Sequence, residues 1–308
     1  MVSPVPPTYD SVRVRVPAKI NLALKVGPRR RDGFHPLATV YHAVSLFDEV
    51  TVNRAPPGRF SITVTGEGAA SVPRDDSNLA LRAARLLATS FTDESVAGAR
   101  IEIAKQIPVA GGLAGGSADG AASLVGCSML WDLDLSPEQL RRVAALLGSD
   151  VPFAMLGGTA MGSGRGEEVM PALARGTFHW VLGFAHQGLS TPAVYRRFDE
   201  LNPRPAVPRV PVALMEALRA GDPEALGAAL DNDLQPAALD LQPKLGRTLS
   251  AGLELGAVGA VVSGSGPTIA FLAGDENAAV DLAVALSSEG LCRSVRRATG
   301  PVPGARPI

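Results

Sequence analysis

The stretch Pro108-Val109-Ala110-Gly111-Gly112-Leu113-Ala114-Gly115-Gly116-Ser117 constrains this chain more than any other. Four of the six residues from Gly111 to Gly116 are glycine. Ser117 opens a run in which Ala118, Ala121, Ala122, Val125 and Met129 recur at helical spacing. Glycines let backbone N–H groups approach an anion, and a helix N-terminus adds unpaired donors and a partial positive charge. The loop therefore predicts a phosphate cradle. It lacks the Gly-Lys-Ser/Thr ending of a Walker A loop, and its glycine spacing is not that of the dinucleotide fingerprint. Ser117 could cap the helix, touch a phosphate oxygen or hold a magnesium ion.

The rest of the chain bounds what such a loop can serve. With 308 residues, 46% of them hydrophobic, there is enough to bury a full core, or two. A formal net charge of −1 argues against nucleic acid or an anionic membrane as the main partner. No apolar run reaches the ~18 residues that cross a bilayer. Met1 to Pro7 has neither a basic nor an apolar region, so it is not a signal peptide; it reads as Pro-rich and disordered. Cys127 and Cys292 are too few for a disulfide framework, and both are expected to be buried. No histidines and cysteines fall at zinc-ligand spacing. A soluble cytosolic protein is expected.

Alternation at Val12, Val14 and Val16 marks a strand, and Ile20–Val26 reads as a second. Strands are also expected at Val40–Asn53, Phe60–Thr65, Arg100–Lys105, Phe178–Phe184, Gly259–Val262, Thr268–Leu272 and Leu291–Ala298. Helices are expected after Asn78, Ser117, Ser136 and Thr191, and near 212–220, 223–230, 243–255 and 276–286. Strands and helices mix without a strict βαβ rhythm. The fold class is α+β, in two domains over 9–164 and 165–300.

Charged residues stand where apolar ones would fit. Lys19 lies between two apolar runs, where a lysine is often only an edge device. Asp150 follows Gly148-Ser149, where an aspartate is most often a cap or turn residue. Transfer of a phosphoryl group to a hydroxyl, however, needs a carboxylate for the alcohol proton and a cation near the developing charge. Lys19 and Asp150 are candidates for that pair, though spacing alone does not bring them together. Ser263-Gly264-Ser265-Gly266-Pro267 is either a tight hairpin or a second backbone cradle. In Asp32-Gly33-Phe34-His35 an aromatic and a histidine adjoin; such a loop can be merely solvated, or can hold a flat base.

Taken together, Pro17-Ala18-Lys19-Ile20-Asn21-Leu22, Pro108 to Ser117 and Ser263 to Pro267 resemble the three ordered motifs of the GHMP kinases, over about four-fifths of the chain. The resemblance implies a ribosomal-protein-S5-domain-2-like N-terminal domain, a ferredoxin-like C-terminal domain and an active site in the cleft between them. It implies ATP and Mg2+, with Lys19 and Asp150 flanking the acceptor hydroxyl. Asn78, Lys105 and the residues Pro108 to Ser117 would hold ATP, and Ser117 the metal. Arg31-Asp32-Gly33-Phe34-His35-Pro36-Leu37 and Gly148-Ser149-Asp150-Val151-Pro152-Phe153 resemble the branch acting on a cytidine-diphosphate-linked methylerythritol, on the route to isoprenoid precursors.

In that branch Phe34, His35, Tyr41 and Tyr195 would surround the cytidine. Asn21, Thr191, Gly264, Ser265, Gly266 and Asp150 would complete the substrate site. The chain departs from the branch pattern at Phe34, where Tyr is usual, at Tyr41, where Phe is common, and at Ala114, where Gly is frequent. A small residue at 114 is expected to matter little. The alternatives are a sibling kinase for homoserine, mevalonate or a sugar, and a non-catalytic nucleotide sensor. A monomer or weak homodimer is expected.

Overall fold

The computed structural model describes residues 9–92 and 97–308. The expectation for Met1 to Pro7 falls outside them. The two strands expected near the start are one, β1 (Ser11–Val26), paired antiparallel with β2 (Leu37–Arg54). Pro17 does not end it: the register shifts at Pro17/Ala18 and again at Asn21/Ala23. A bulge accommodates a residue that has no N–H to donate. Before Pro17 the expected alternation holds, with Val12, Val14 and Val16 buried and Arg13 and Arg15 paired to Glu49 outside. From Val16 to Leu24 every residue is buried, because β1 is covered on both faces.

After β3 (Phe60–Gly66) comes α1 (Leu79–Phe91), capped by Asn78, whose side chain accepts the Ala80 N–H. β4 (Ala99–Lys105) then leads into the glycine loop and α2 (Gly115–Leu130). The small residues of α2 let it lie close on the sheet: a Cβ at Gly126 would come within 2.7 Å of Val52. α3 (Pro137–Leu147) starts with a full capping box between Ser136 and Gln139. α4 (Val151–Leu156), β5 (Thr159–Ser163) and β6 (Glu168–Pro171) follow. α4 was not expected from sequence; its six residues, VPFAML, are too short and too uniformly apolar to show a helical period.

The second half contains β7 (Phe178–Phe184), α5 (Thr191–Leu201), α6 (Val212–Ala220), α7 (Pro223–Ala229), β8 (Asp231–Asn232) and α8 (Gln235–Leu241). It continues with α9 (Lys244–Glu254), β9 (Gly259–Val262), β10 (Ile269–Ala273), α10 (Glu276–Ser288), β11 (Ser294–Gly300) and β12 (Arg306–Pro307). α8 was likewise not expected.

The first sheet runs β12-β1-β2-β4-β3, with β5 joining β2, β6 joining β5 and β8 joining β1. The second runs β11-β7-β10-β9, all antiparallel. That is the order 4-1-3-2 of a ferredoxin-like sheet. The two sheets share a core. Phe178, Trp180 and Leu182 of β7 pack into the same cluster as β1, β2 and α2. His42 of β2 sits at that junction against Phe178 and Trp180, each ring 5.9 Å away. Gly164, the expected boundary, lies between β5 and β6, and β8 and β12 return to the first sheet. Among the described residues no helix is long and apolar enough to cross a membrane. Cys127 is buried as expected, whereas Cys292 is only half-buried and precedes β11 instead of lying within it.

Candidate active site

A cleft of about 850 Å³ opens between the glycine loop, the second half of β1, the Asp32–His35 loop and α5. Backbone contacts bring the three motif segments together there. The Lys19 N–H donates to Leu113 O at 3.2 Å, and the Ser263 hydroxyl donates to Gly112 O at 3.1 Å. Gly112 has φ +74°, and a Cβ on it would lie 2.4 Å from Ser263 O. Only glycine fits that junction. Asn232 of β8 ties the third segment down by donating to Val262 O and Gly264 O, at 2.7 and 2.8 Å. The Ser263–Pro267 segment is thus both the β9–β10 hairpin and a wall of the cleft.

At the centre, Lys19 Nζ stands 3.8 Å from Asp150 Oδ2. Lys19 is not an edge lysine: it is buried, pairs in register with Ala43, and donates to Asn21 Oδ1 at 2.6 Å. Asn21 in turn donates to the Thr39 hydroxyl, and Thr39 to Ala23 O. This chain of bonds runs along the face that β1 and β2 turn to the cleft, and it holds the lysine in place. Burial lowers the Lys19 pKa from its ordinary value, opposed by the Asp150 charge. Asp150 occupies the N-cap position of α4 but makes no capping bond. Its carboxylate is left to face the lysine and the cleft. Tyr41, buried beside them, has its phenol pushed well up by burial and then by the Asp150 charge; its hydroxyl donates to Gly166 O at 3.3 Å.

Beneath the glycine loop lies a buried charge cluster. Lys105 Nζ donates to Asp48 Oδ2 at 2.5 Å and to Asp119 Oδ2 at 2.8 Å. Asp48 also accepts the backbone N–H groups of Gln106 and Ile107, at 2.6 and 2.9 Å. Burial lowers the Lys105 pKa, but the attraction of Asp119 and Asp48 outweighs it and leaves the ammonium above its usual value. Burial lifts Asp119 to about 8 against the pull of Lys105. Asp119 Oδ1 has no hydrogen-bond partner. Asn78 lines the same end, its two side-chain polar atoms engaged by Ala80 N–H and Pro73 O.

At the other end the His35 ring lies 5.2 Å from Tyr195 and 6.1 Å, edge-on, from Phe198. Phe34 is 53% exposed, with the Arg165 guanidinium 5.0 Å over its ring. Thr191 bonds to the Ser265 hydroxyl at 2.7 Å.

The expected residues Lys19, Asn21, Phe34, His35, Tyr41, Asn78, Lys105, Asp150, Thr191, Tyr195, Gly264 and Ser265 line one cleft, as do Pro108 to Gly112 and Ala114 to Gly116. Leu113 is instead a core residue, and Ser117 and Gly266 are not in the cleft lining. The helix begins two residues earlier than Ser117, at Gly115, with Ala114 as a left-handed N-cap at φ 58°. The place of Ala114 is therefore set by its backbone as well as by its size, contrary to the expectation from sequence.

Sequence reasoning missed Asp48, Asp119, Arg29, Arg165 and Asp199. Asp119 carries the one usable signal, an aspartate inside an otherwise small and apolar helix. Arg29 belongs to the basic run Pro28-Arg29-Arg30-Arg31, which by sequence reads as a solvated turn.

Comparison with known proteins identifies the family to which this fold belongs. The GHMP kinases N terminal domain model matches residues 78–158, and the GHMP kinases C terminal model residues 214–291. The 4-diphosphocytidyl-2-C-methyl-D-erythritol kinase of Mycolicibacterium smegmatis is 54% identical, covering 98% of this chain and 94% of the relative. A crystal structure of 4-(cytidine 5'-diphospho)-2C-methyl-D-erythritol kinase superposes with a TM-score of 0.75 at 33% identity, over 93% of this chain and 98% of that one. Homoserine kinase from Cytophaga hutchinsonii shares the fold, with a TM-score of 0.77 at 19% identity over the whole of both chains. The chain belongs to the GHMP kinases and, within them, to the 4-diphosphocytidyl-2-C-methyl-D-erythritol kinase family.

Proposed function

We propose that this protein transfers the γ-phosphoryl group of ATP to the 2-hydroxyl of 4-diphosphocytidyl-2-C-methyl-D-erythritol, a step of the non-mevalonate route to isoprenoid precursors. The observation that carries the reading is the Lys19–Asp150 pair, 3.8 Å apart in a cleft walled by the glycine loop. Asp150 orients the acceptor hydroxyl and takes its proton as the oxygen attacks phosphorus. The bond to the bridging oxygen breaks and ADP departs. Lys19 holds Asp150 in place and offsets the charge that develops.

The amides of the loop from Pro108 to Gly116 and the start of α2 receive the triphosphate. Asn78 and Lys105 lie at the nucleoside end. Asn21, Tyr41, Thr191, Gly264 and Ser265 shape the space around the acceptor. Phe34, His35 and Tyr195 hold the cytosine, so that remote binding energy orients the reacting hydroxyl.

Among the described residues no three His, Cys, Asp or Glu side chains converge as metal ligands. That suits a Mg2+ ion that enters with ATP, held largely by phosphates and water. The ion would supply charge neutralisation on the phosphates; Ser117, on the first turn of α2, lies outside the cleft lining and is not assigned to it. We place the enzyme in the cytoplasm, as a monomer or weak homodimer.

The test is incubation with ATP, Mg2+ and 4-diphosphocytidyl-2-C-methyl-D-erythritol, following ADP and the 2-phosphate. Product unmatched with homoserine, mevalonate or galactose supports the reading. Faster turnover of one of those alcohols would move the protein to a sibling activity. ATP binding with no turnover of any would make it a sensor.

A further inference from the structure

The geometry points to Asp199 as a positioning residue that fixes the His35 tautomer and so selects a 4-amino pyrimidine; this rests on the cytidine reading above. Asp199 Oδ1 lies 2.7 Å from His35 Nε2. Asp199 and Tyr195 are one helical turn apart on α5, so a single face of that helix presents both to the imidazole. Phe198, on the same helix, meets the ring edge-on. The His35 side chain is only 5% exposed, so the ring is held by these contacts and not by solvent.

An ionised carboxylate can only accept, so Nε2 of the ring carries the proton. In a neutral imidazole Nδ1 is then left as an acceptor. It has no hydrogen-bond partner among the described residues, and His35 lines the cleft. Cytosine offers a 4-amino donor to such an acceptor, whereas uracil offers a 4-carbonyl oxygen that meets it lone pair to lone pair. The carboxylate on the far side of the ring thus decides which base the near side accepts. Without it the ring is free to rotate or to carry its proton on Nδ1, and either base is tolerated.

The experiment compares the wild type, Asp199→Ala and Asp199→Asn with 4-diphosphocytidyl-2-C-methyl-D-erythritol and with its uridine counterpart. It is read as kcat and KM, with the KM for ATP and the His35 tautomer from 15N chemical shifts. In the wild type Nε2 carries the proton and the cytidine substrate is preferred. Asp199→Ala is expected to raise KM for the cytidine substrate by roughly tenfold, the worth of one hydrogen bond. It should erase the preference over uridine, with kcat and the KM for ATP little changed. Asp199→Asn, whose side-chain oxygen still accepts from Nε2, should restore most of the preference. An unaltered preference in Asp199→Ala would overturn the inference, as would a wild-type ring protonated on Nδ1. A fall in kcat, or a rise in both KM values together, would reduce Asp199 to a structural residue. A wild type that turns over neither substrate would instead remove the cytidine reading itself.

Discussion

Lys19 Nζ and Asp150 Oδ2 stand 3.8 Å apart, one from a bulged strand and the other from the N-cap position of a six-residue helix. Asp150 makes no capping bond for its own helix, and Lys19 is buried and held by Asn21 two residues along the same strand. On the proposed mechanism, Asp150→Asn removes the base and keeps the shape. Turnover should fall by roughly 10²- to 10⁴-fold with ATP binding retained. Steady-state kinetics beside ATP titration by calorimetry measures both, and near-normal turnover would take Asp150 out of the chemistry.

The junction of the glycine loop with the β9–β10 hairpin admits no side chain at Gly112, where φ is +74° and a Cβ would lie 2.4 Å from Ser263 O. Gly112→Ala should cost ~1–2 kcal/mol from the left-handed backbone alone, and more from the clash. On the proposed mechanism, loss of ATP affinity should accompany the loss of stability, because the same backbone would receive the triphosphate. Urea unfolding and ATP titration of the variant test the two together; a variant with unchanged stability would contradict the close approach.

Ala114 presents the opposite case. It is an alanine in a left-handed conformation, φ 58° and ψ 33°, at the start of α2. Ala114→Gly relieves that strain while making the unfolded chain freer. The net gain should be about 0.5–1 kcal/mol. A higher urea midpoint at unchanged slope is the expected result, and a lower midpoint would show that the alanine methyl is needed for packing.

His42 makes stability depend on pH. It is fully buried, its Nδ1 is 2.8 Å from the Thr159 hydroxyl, and burial depresses it to about 3. The unfolded ring takes a proton below pH ~6.5, which the folded ring refuses until far lower. The unfolded state therefore binds more protons, and the stability this ring contributes is lost as pH falls from about 6.5 toward 3. About 2 kcal/mol should go between pH 6.5 and pH 5. His42→Phe should flatten that part of the stability–pH curve, measured by denaturant titration at several pH values. An unchanged slope would clear His42 of the effect.

Much of the fold was legible because it is written locally. The capping residues Asn78 and Ser136 and the alternation in β1 are decided by near neighbours in the chain. Legible too was the glycine loop that leads into α2 and lines the cleft. Short apolar segments such as Val151–Leu156 were not legible, because six residues do not show a period.

Sequence by itself determined the α+β class, the three motif segments and, through them, the family. Tertiary structure alone decided which charges meet. Lys19 with Asp150, Lys105 with Asp48 and Asp119, and His35 with Asp199 are each brought together from separate parts of the chain. Propensity and periodicity act over one or two turns of chain. A charge buried beside its partner is set by the packing of whole sheets and helices, which exclude water and leave the pair to satisfy itself.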